Sequence, residues 1–153
     1  MPRSYTFNSN ATNTQSATLP LATIISTANI RPELYQFRLS SDASPNDQSF
    51  KFGLQRCTTA GTPGSSPTAV ANDPGDPAPQ TTCGLAIFSV GPTLTANTFP
   101  LQDAAYMRGP YRWDCKDGKE IKIPATANNG LALMSLVLNG AAYNVVFGFS
   151  FIE

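Results

Sequence analysis

Two stretches of the chain alternate between large apolar and small or polar residues with a period of two, residues 50–56 (FKFGLQR) and residues 144–152 (NVVFGFSFI). Side chains on a β-strand point to opposite faces in turn. Phe50, Phe52 and Leu54 therefore share one face of a first strand, and Val145, Phe147, Phe149 and Phe151 share one face of another. In the same way residues 34–39 (LYQFRL) put Tyr35, Phe37 and Leu39 on one side. The spacing predicts further strands over 85–90, within 94–107, over 111–113 and over 119–123. Residues 131–138 are nearly continuously apolar, which fits a strand buried on both faces or in a subunit interface.

Turn chemistry separates these runs. Residues 41–47 (SDASPND) read as a turn or loop. Asn128-Asn129-Gly130 and Asn139-Gly140 are turn signals because Asn and Gly tolerate positive φ, and the first is expected to close a hairpin between 121–123 and the run at 131–138. Helical periodicity is almost absent. The expected fold is all-β, a jelly-roll-like β-sandwich of about eight antiparallel strands over residues 31–153, with a long loop at 58–82.

Residues 1–30 read as an N-terminal arm and connector. The first twenty are polar and rich in Asn, Thr and Ser, without a period that would place a buried face, so an extended arm ordered only by a partner is expected. Residues 21–30 (LATIISTANI) suit a strand or an extended connector. The loop at 58–82 is loaded with Pro, Gly, Ser and Thr, and loops of that length are usually functional or disordered.

Ten basic and ten acidic residues give zero formal charge, so no overall field draws in nucleic acid or an anionic membrane. Charged residues are 13% of the chain, about half the roughly 25% usual in soluble domains. Uncharged polar residues must cover the surface instead, at little desolvation cost, which suits a protein packed against neighbours. No run approaches a membrane-spanning length and the first residues lack the apolar stretch of a signal peptide, so a product made and used in the cytoplasm, or released by lysis, is expected.

The chain has no histidine, which removes Ser-His-Asp and Cys-His catalysis and imidazole-ligated zinc. Cys57, Cys83 and Cys115 are far apart and form no CxxC pair. They are free thiols, or Cys57 and Cys83 close the long loop as a disulfide worth roughly 3 to 4 kcal/mol in the chain-entropy picture. No glycine-rich phosphate loop is present. Asp42, Asp47, Asp73, Asp76, Asp103, Asp114, Asp117, Glu33 and Glu120 could supply a glycosidase pair, but nearly all sit in turn-like contexts and read as solvated turn residues. Asp73-Pro74-Gly75-Asp76-Pro77 could offer oxygens to calcium, yet it lacks dense ligand spacing and reads first as a proline-braced turn. Trp113, beside Tyr111 and Arg112, is a core aromatic or a sugar-stacking surface. No catalytic residue, cofactor or metal site is assigned.

Three segments carry a resemblance: residues 31–56 (RPELYQFRLSSDASPNDQSFKFGLQR), residues 72–79 (NDPGDPAP) and residues 111–133 (YRWDCKDGKEIKIPATANNGLAL). Their order and spacing resemble a family of tailed-bacteriophage head decoration, or cement, proteins with a jelly-roll fold, over about residues 31–153. The resemblance implies a structural virion protein on the head exterior, made in the host cytoplasm, which docks on assembled major capsid protein, often as a trimer. The chain departs from the pattern in the segment before Arg31, in Cys57 and Cys83, and in the added Gly109-Pro110. Contact candidates are Asn8, Asn10, Thr12, Leu21 and Ile24 in the arm, Asp73, Pro74, Asp76 and Pro77 in the loop, and Arg112 and Trp113 on the strand edge. The rival expectations are a carbohydrate-binding jelly roll of a phage adhesion structure, exposing Tyr111 and Trp113, and a two-carboxylate glycosidase.

Overall fold

The computed structural model describes residues 2–13, 16, 18–42, 47, 49–136 and 143–153. Among them there are eleven strands and no helix: β1 (Ser4–Asn13), β2 (Ala22–Ile25), β3 (Glu33–Asp42), β4 (Ser49–Cys57), β5 (Val70–Ala71), β6 (Thr82–Leu85), β7 (Leu101–Tyr106), β8 (Tyr111–Asp114), β9 (Ile121–Lys122), β10 (Gly130–Ser135) and β11 (Tyr143–Ile152). They form two antiparallel sheets. The first runs β5-β1-β11-β3-β8 with β9 also on β3, and the second runs β6-β2-β10-β4-β7. Without the peripheral β5, β6 and β9, the orders β1-β11-β3-β8 and β2-β10-β4-β7 remain. The two sheets pack face to face as a β-sandwich.

The alternating stretches build the core as expected. Phe50, Phe52 and Leu54 from β4 and Phe147, Phe149 and Phe151 from β11 lie in one buried cluster. The rings of Phe37 and Phe52, on opposite sheets, are 5.5 Å apart, and Phe37 also meets Phe149 at 5.1 Å. Such offset and tilted contacts add to the area term of burying large rings.

The largest correction concerns the expected arm. Residues 4–13 pair with β11 along its length, from Ser4 opposite Ile152 to Asn13 opposite Tyr143. Tyr5, Phe7 and Ala11 point inward and are buried, while the Asn and Thr residues between them face out. Residues 22–25 form β2, an interior strand of the second sheet, buried at every position. Residues 4–13 are thus a strand of the sandwich and not a detached arm, and residues 22–25 are the strand expected within 21–30, here part of the same sandwich.

Smaller differences have local causes. Tyr35 does not share the face of Phe37 and Leu39: pairing with β11 steps from Gln36 opposite Ser150 to Leu34 opposite Phe151, a bulge that leaves Tyr35 unpaired and turns Leu34 inward. A strand over 85–90 does not form, because Ala86 and Ile87 take φ of 37° and 44° and end β6 at Leu85. The expected strand over 119–123 is cut to β9, and that within 94–107 is β7. Asn128 has the expected positive φ of 69°, but no hairpin results. β9 pairs in the first sheet and β10 in the second, so this turn carries the chain between sheets, held by Ser26, whose hydroxyl lies within 2.9 Å of the carbonyls of Pro124, Thr126 and Asn129. The turn at Asn139-Gly140 and most of the loop at 41–47 lie outside the described residues.

The 58–82 loop is folded onto the sandwich. Thr62 and Ser65 bridge to Val90 and Leu85, β5 extends the first sheet beside β1, and the backbone N–H groups of Gln80 and Thr81 donate to the Glu153 carboxylate. Cys57 and Cys83 are buried free thiols. β2 and β10 stand between their strands. At about 4.8 Å per strand step that separation exceeds the Cα reach of a disulfide.

Candidate functional site

The outer faces of the two sheets differ. On the second sheet, Thr23, Gln55, Ala132 and Met134 are buried because the chain covers them: the Gln55 amide donates to the Thr95 carbonyl at 3.0 Å, and Arg56 and Thr58 bond to Thr98 and Thr93 through the backbone. The first sheet keeps much of its outer face open. Strand alternation brings there Thr6, Asn8, Asn10 and Thr12 from β1, Asn144, Val146, Gly148 and Ser150 from β11, Gln36, Arg38, Ser40 and Asp42 from β3, and Arg112 and Asp114 from β8. This is the candidate site.

One cross-strand row organises it. Asn8 stands opposite Gly148, Gly148 opposite Arg38, and Arg38 opposite Arg112. Arg38 Nη2 reaches over the glycine to donate to Asn8 Oδ1 at 3.2 Å. A Cβ on Gly148 would collide with that oxygen and stand 3.4 Å from Arg38 Nε and Nη2. In the next row, Gln36 donates to Asp114 Oδ1 at 2.7 Å, and Arg112 Nε meets Asp114 Oδ2 at 2.6 Å. The Arg112 guanidinium, then Gln36, holds the Asp114 carboxyl below its ordinary range. A hollow of about 390 Å³ opens over this row, lined by Asn8, Arg38, Ser40, Pro110, Arg112 and Val146 among others.

Of the contact candidates, Asn8, Asn10, Thr12 and Arg112 meet on this face, although β1 ends at Asn13 and β8 begins only at Tyr111. Leu21 and Ile24 do not: both are buried in the core, where they fill space between the sheets. Trp113 and Tyr111 turn inward and pack against the core, so they form no aromatic platform. Burial, and then a hydrogen bond to Asp103, pushes the Tyr111 phenol up to about 12. Asp73, Pro74, Asp76 and Pro77 form a separate tight turn in which Asp73 Oδ1 accepts from the Gly75 N–H at 2.9 Å. Asp76 pairs with Arg3 at 3.5 Å and the Pro77 carbonyl accepts from the Tyr5 hydroxyl. That turn is tied to the start of β1, at the margin of the open face.

Of the remaining acids, Glu33 pairs with Lys122, Asp47 with Arg108, and Glu120 accepts from the Gly118 N–H. Backbone hydrogen bonds hold Glu120 below its ordinary range, the opposite of what a general acid needs. Among the described residues, no three of His, Cys, Asp and Glu gather as a metal site. Sequence reasoning missed Arg38, Ser40, Val146 and Gly148. Each is an outward residue of a strand whose inward partners were recognised, so the alternation held the signal. Comparison with protein-family models, with curated proteins and with solved structures found no match.

Proposed function

We propose that the protein is a structural virion protein, a decoration or cement protein that lies on the outside of an assembled phage head and clamps neighbouring major capsid proteins, as a homotrimer. The open outer face of the first sheet carries this reading. It is broad and dominated by short uncharged side chains, so it loses little hydration when another protein covers it, and it offers many donors and acceptors to a partner's surface. Repetition of one modest interface over a symmetric lattice makes the binding multivalent, so the lattice gains stability from contacts that are individually weak. The tight turn at residues 73–77 beside β1 extends the contact surface. Tyr35, which the bulge turns to this face, is half-buried and its hydroxyl accepts from the Asn72 amide, so no paired aromatic platform for sugar stacking stands there among the described residues.

The test compares heads with and without the protein under heat and osmotic shock, with glycan-binding and glycosidase assays on the same preparation. Greater survival of decorated heads, with neither sugar binding nor hydrolysis, is the expected result. Equal survival together with tight glycan binding would replace the cement reading with an adhesion module.

A further inference from the structure

We propose that Arg38 and Arg112 form a subsite for one carboxylate, carried by an acidic side chain of a protein partner and seated in the hollow over Gly148. The proposal deepens the docking reading above and rests on it. Two arginines directly opposite each other on an antiparallel pair repel. Asp114 offsets this only in part: two guanidinium charges less one carboxylate leave a single positive charge, which suits a monoanion better than a dianionic phosphate. Each guanidinium has five N–H donors. Among the described residues Arg38 uses one on Asn8 and Arg112 one on Asp114, leaving both able to grip carboxylate oxygens.

The hollow is built for close approach. Glycine inside a strand gives up side-chain packing and often marks a place where a ligand or another backbone comes near. Here Gly148 lets Arg38 lie flat towards Asn8, and Val146 and Pro110 supply an apolar lining for the methylene stem of a glutamate. A uronic acid would bring the same carboxylate, but the aromatic residues that border the hollow, Tyr111 and Phe147, turn inward to the core and offer no platform on which a sugar ring could stack.

The test titrates isotope-labelled protein with the peptide acetyl-Gly-Glu-Gly-amide, following the Nε–H resonances of Arg38 and Arg112, with the Gln-containing peptide, galacturonate disaccharide and inorganic phosphate as parallel arms. The Glu peptide is expected to shift both resonances saturably, and the Gln peptide to bind at least about tenfold more weakly. R38Q and R112Q should each weaken the Glu peptide by about tenfold with an unchanged circular dichroism spectrum. Equal response to the Glu and Gln peptides, tighter binding of galacturonate or phosphate, or undiminished binding by R38Q would overturn the subsite. Because the titration needs no heads, a failed subsite with intact head binding leaves the docking face standing, and the converse result separates them equally well.

Discussion

Asn8 and Arg38 lie on strands that are not neighbours, yet the Arg38 guanidinium bonds Asn8 Oδ1 at 3.2 Å across the strand between them, because the residue they span is Gly148. The site therefore depends on a missing side chain. In G148A the new methyl must displace Asn8 and Arg38, both exposed and able to move, while the unfolded chain loses freedom. Stability should change by no more than about 1 kcal/mol in either direction, with the Arg38 Nε–H resonance shifted and head binding reduced. Chemical denaturation and binding on the same variant check this; a large loss of stability would mean the glycine serves the fold instead.

Phe149 is fully buried and its ring meets Phe7, Phe37 and Phe147. Phe149→Ala should cost about 3 to 5 kcal/mol through lost transfer energy and the cavity left behind. An unchanged denaturant midpoint would place the ring outside the core.

Phe7 makes the same demand of the N-terminal strand. Its ring packs on Phe147 and Phe149, so Phe7→Ala should also cost about 3 to 5 kcal/mol. Deleting residues 2–13 should remove cooperative melting, because β11 would lose one of its two neighbouring strands and the core three buried side chains, Tyr5, Phe7 and Ala11. A truncated chain that melts like the full one would restore the detached arm.

Inward residues were legible and their partners were not. Phe50, Phe52, Phe147 and Phe149 announce their faces because each alternates with small or polar neighbours inside a short window. β1 alternates too, through Tyr5, Phe7 and Ala11, but its outward Asn and Thr residues dominate the composition, so the averaged segment looks like a solvated tail. The row from Asn8 to Gly148 to Arg38 to Arg112 joins residues from both ends and the middle of the chain. Strand order and register set it, and no local pattern encodes either. The bulge at Tyr35 likewise reverses one side chain through pairing with β11 alone.

Burial pushes the Cys57 and Cys83 thiols up to about 12. A thiol neutral in the folded state and free to ionise in the unfolded chain stabilises the fold fully below the unfolded value, and that contribution is lost as pH rises towards the folded one. Stability should therefore fall between about pH 9 and pH 12, by at most about 1.4 kcal/mol per pH unit for each thiol. Denaturant midpoints at pH 8 and pH 10.5, with C57A and C83A as controls, check the slope. A flat profile shared by wild type and both variants would mean the thiols are open to water.

The most direct measurement is co-sedimentation of the purified protein with mature heads that lack it, comparing wild type with the doubly substituted N10R/S40R, whose two long cations crowd the open face without touching the core. Wild type is expected to saturate the heads and the variant to remain in solution while melting at the same temperature. Equal binding by both proteins, or none by wild type, would contradict docking through the outer face of the first sheet.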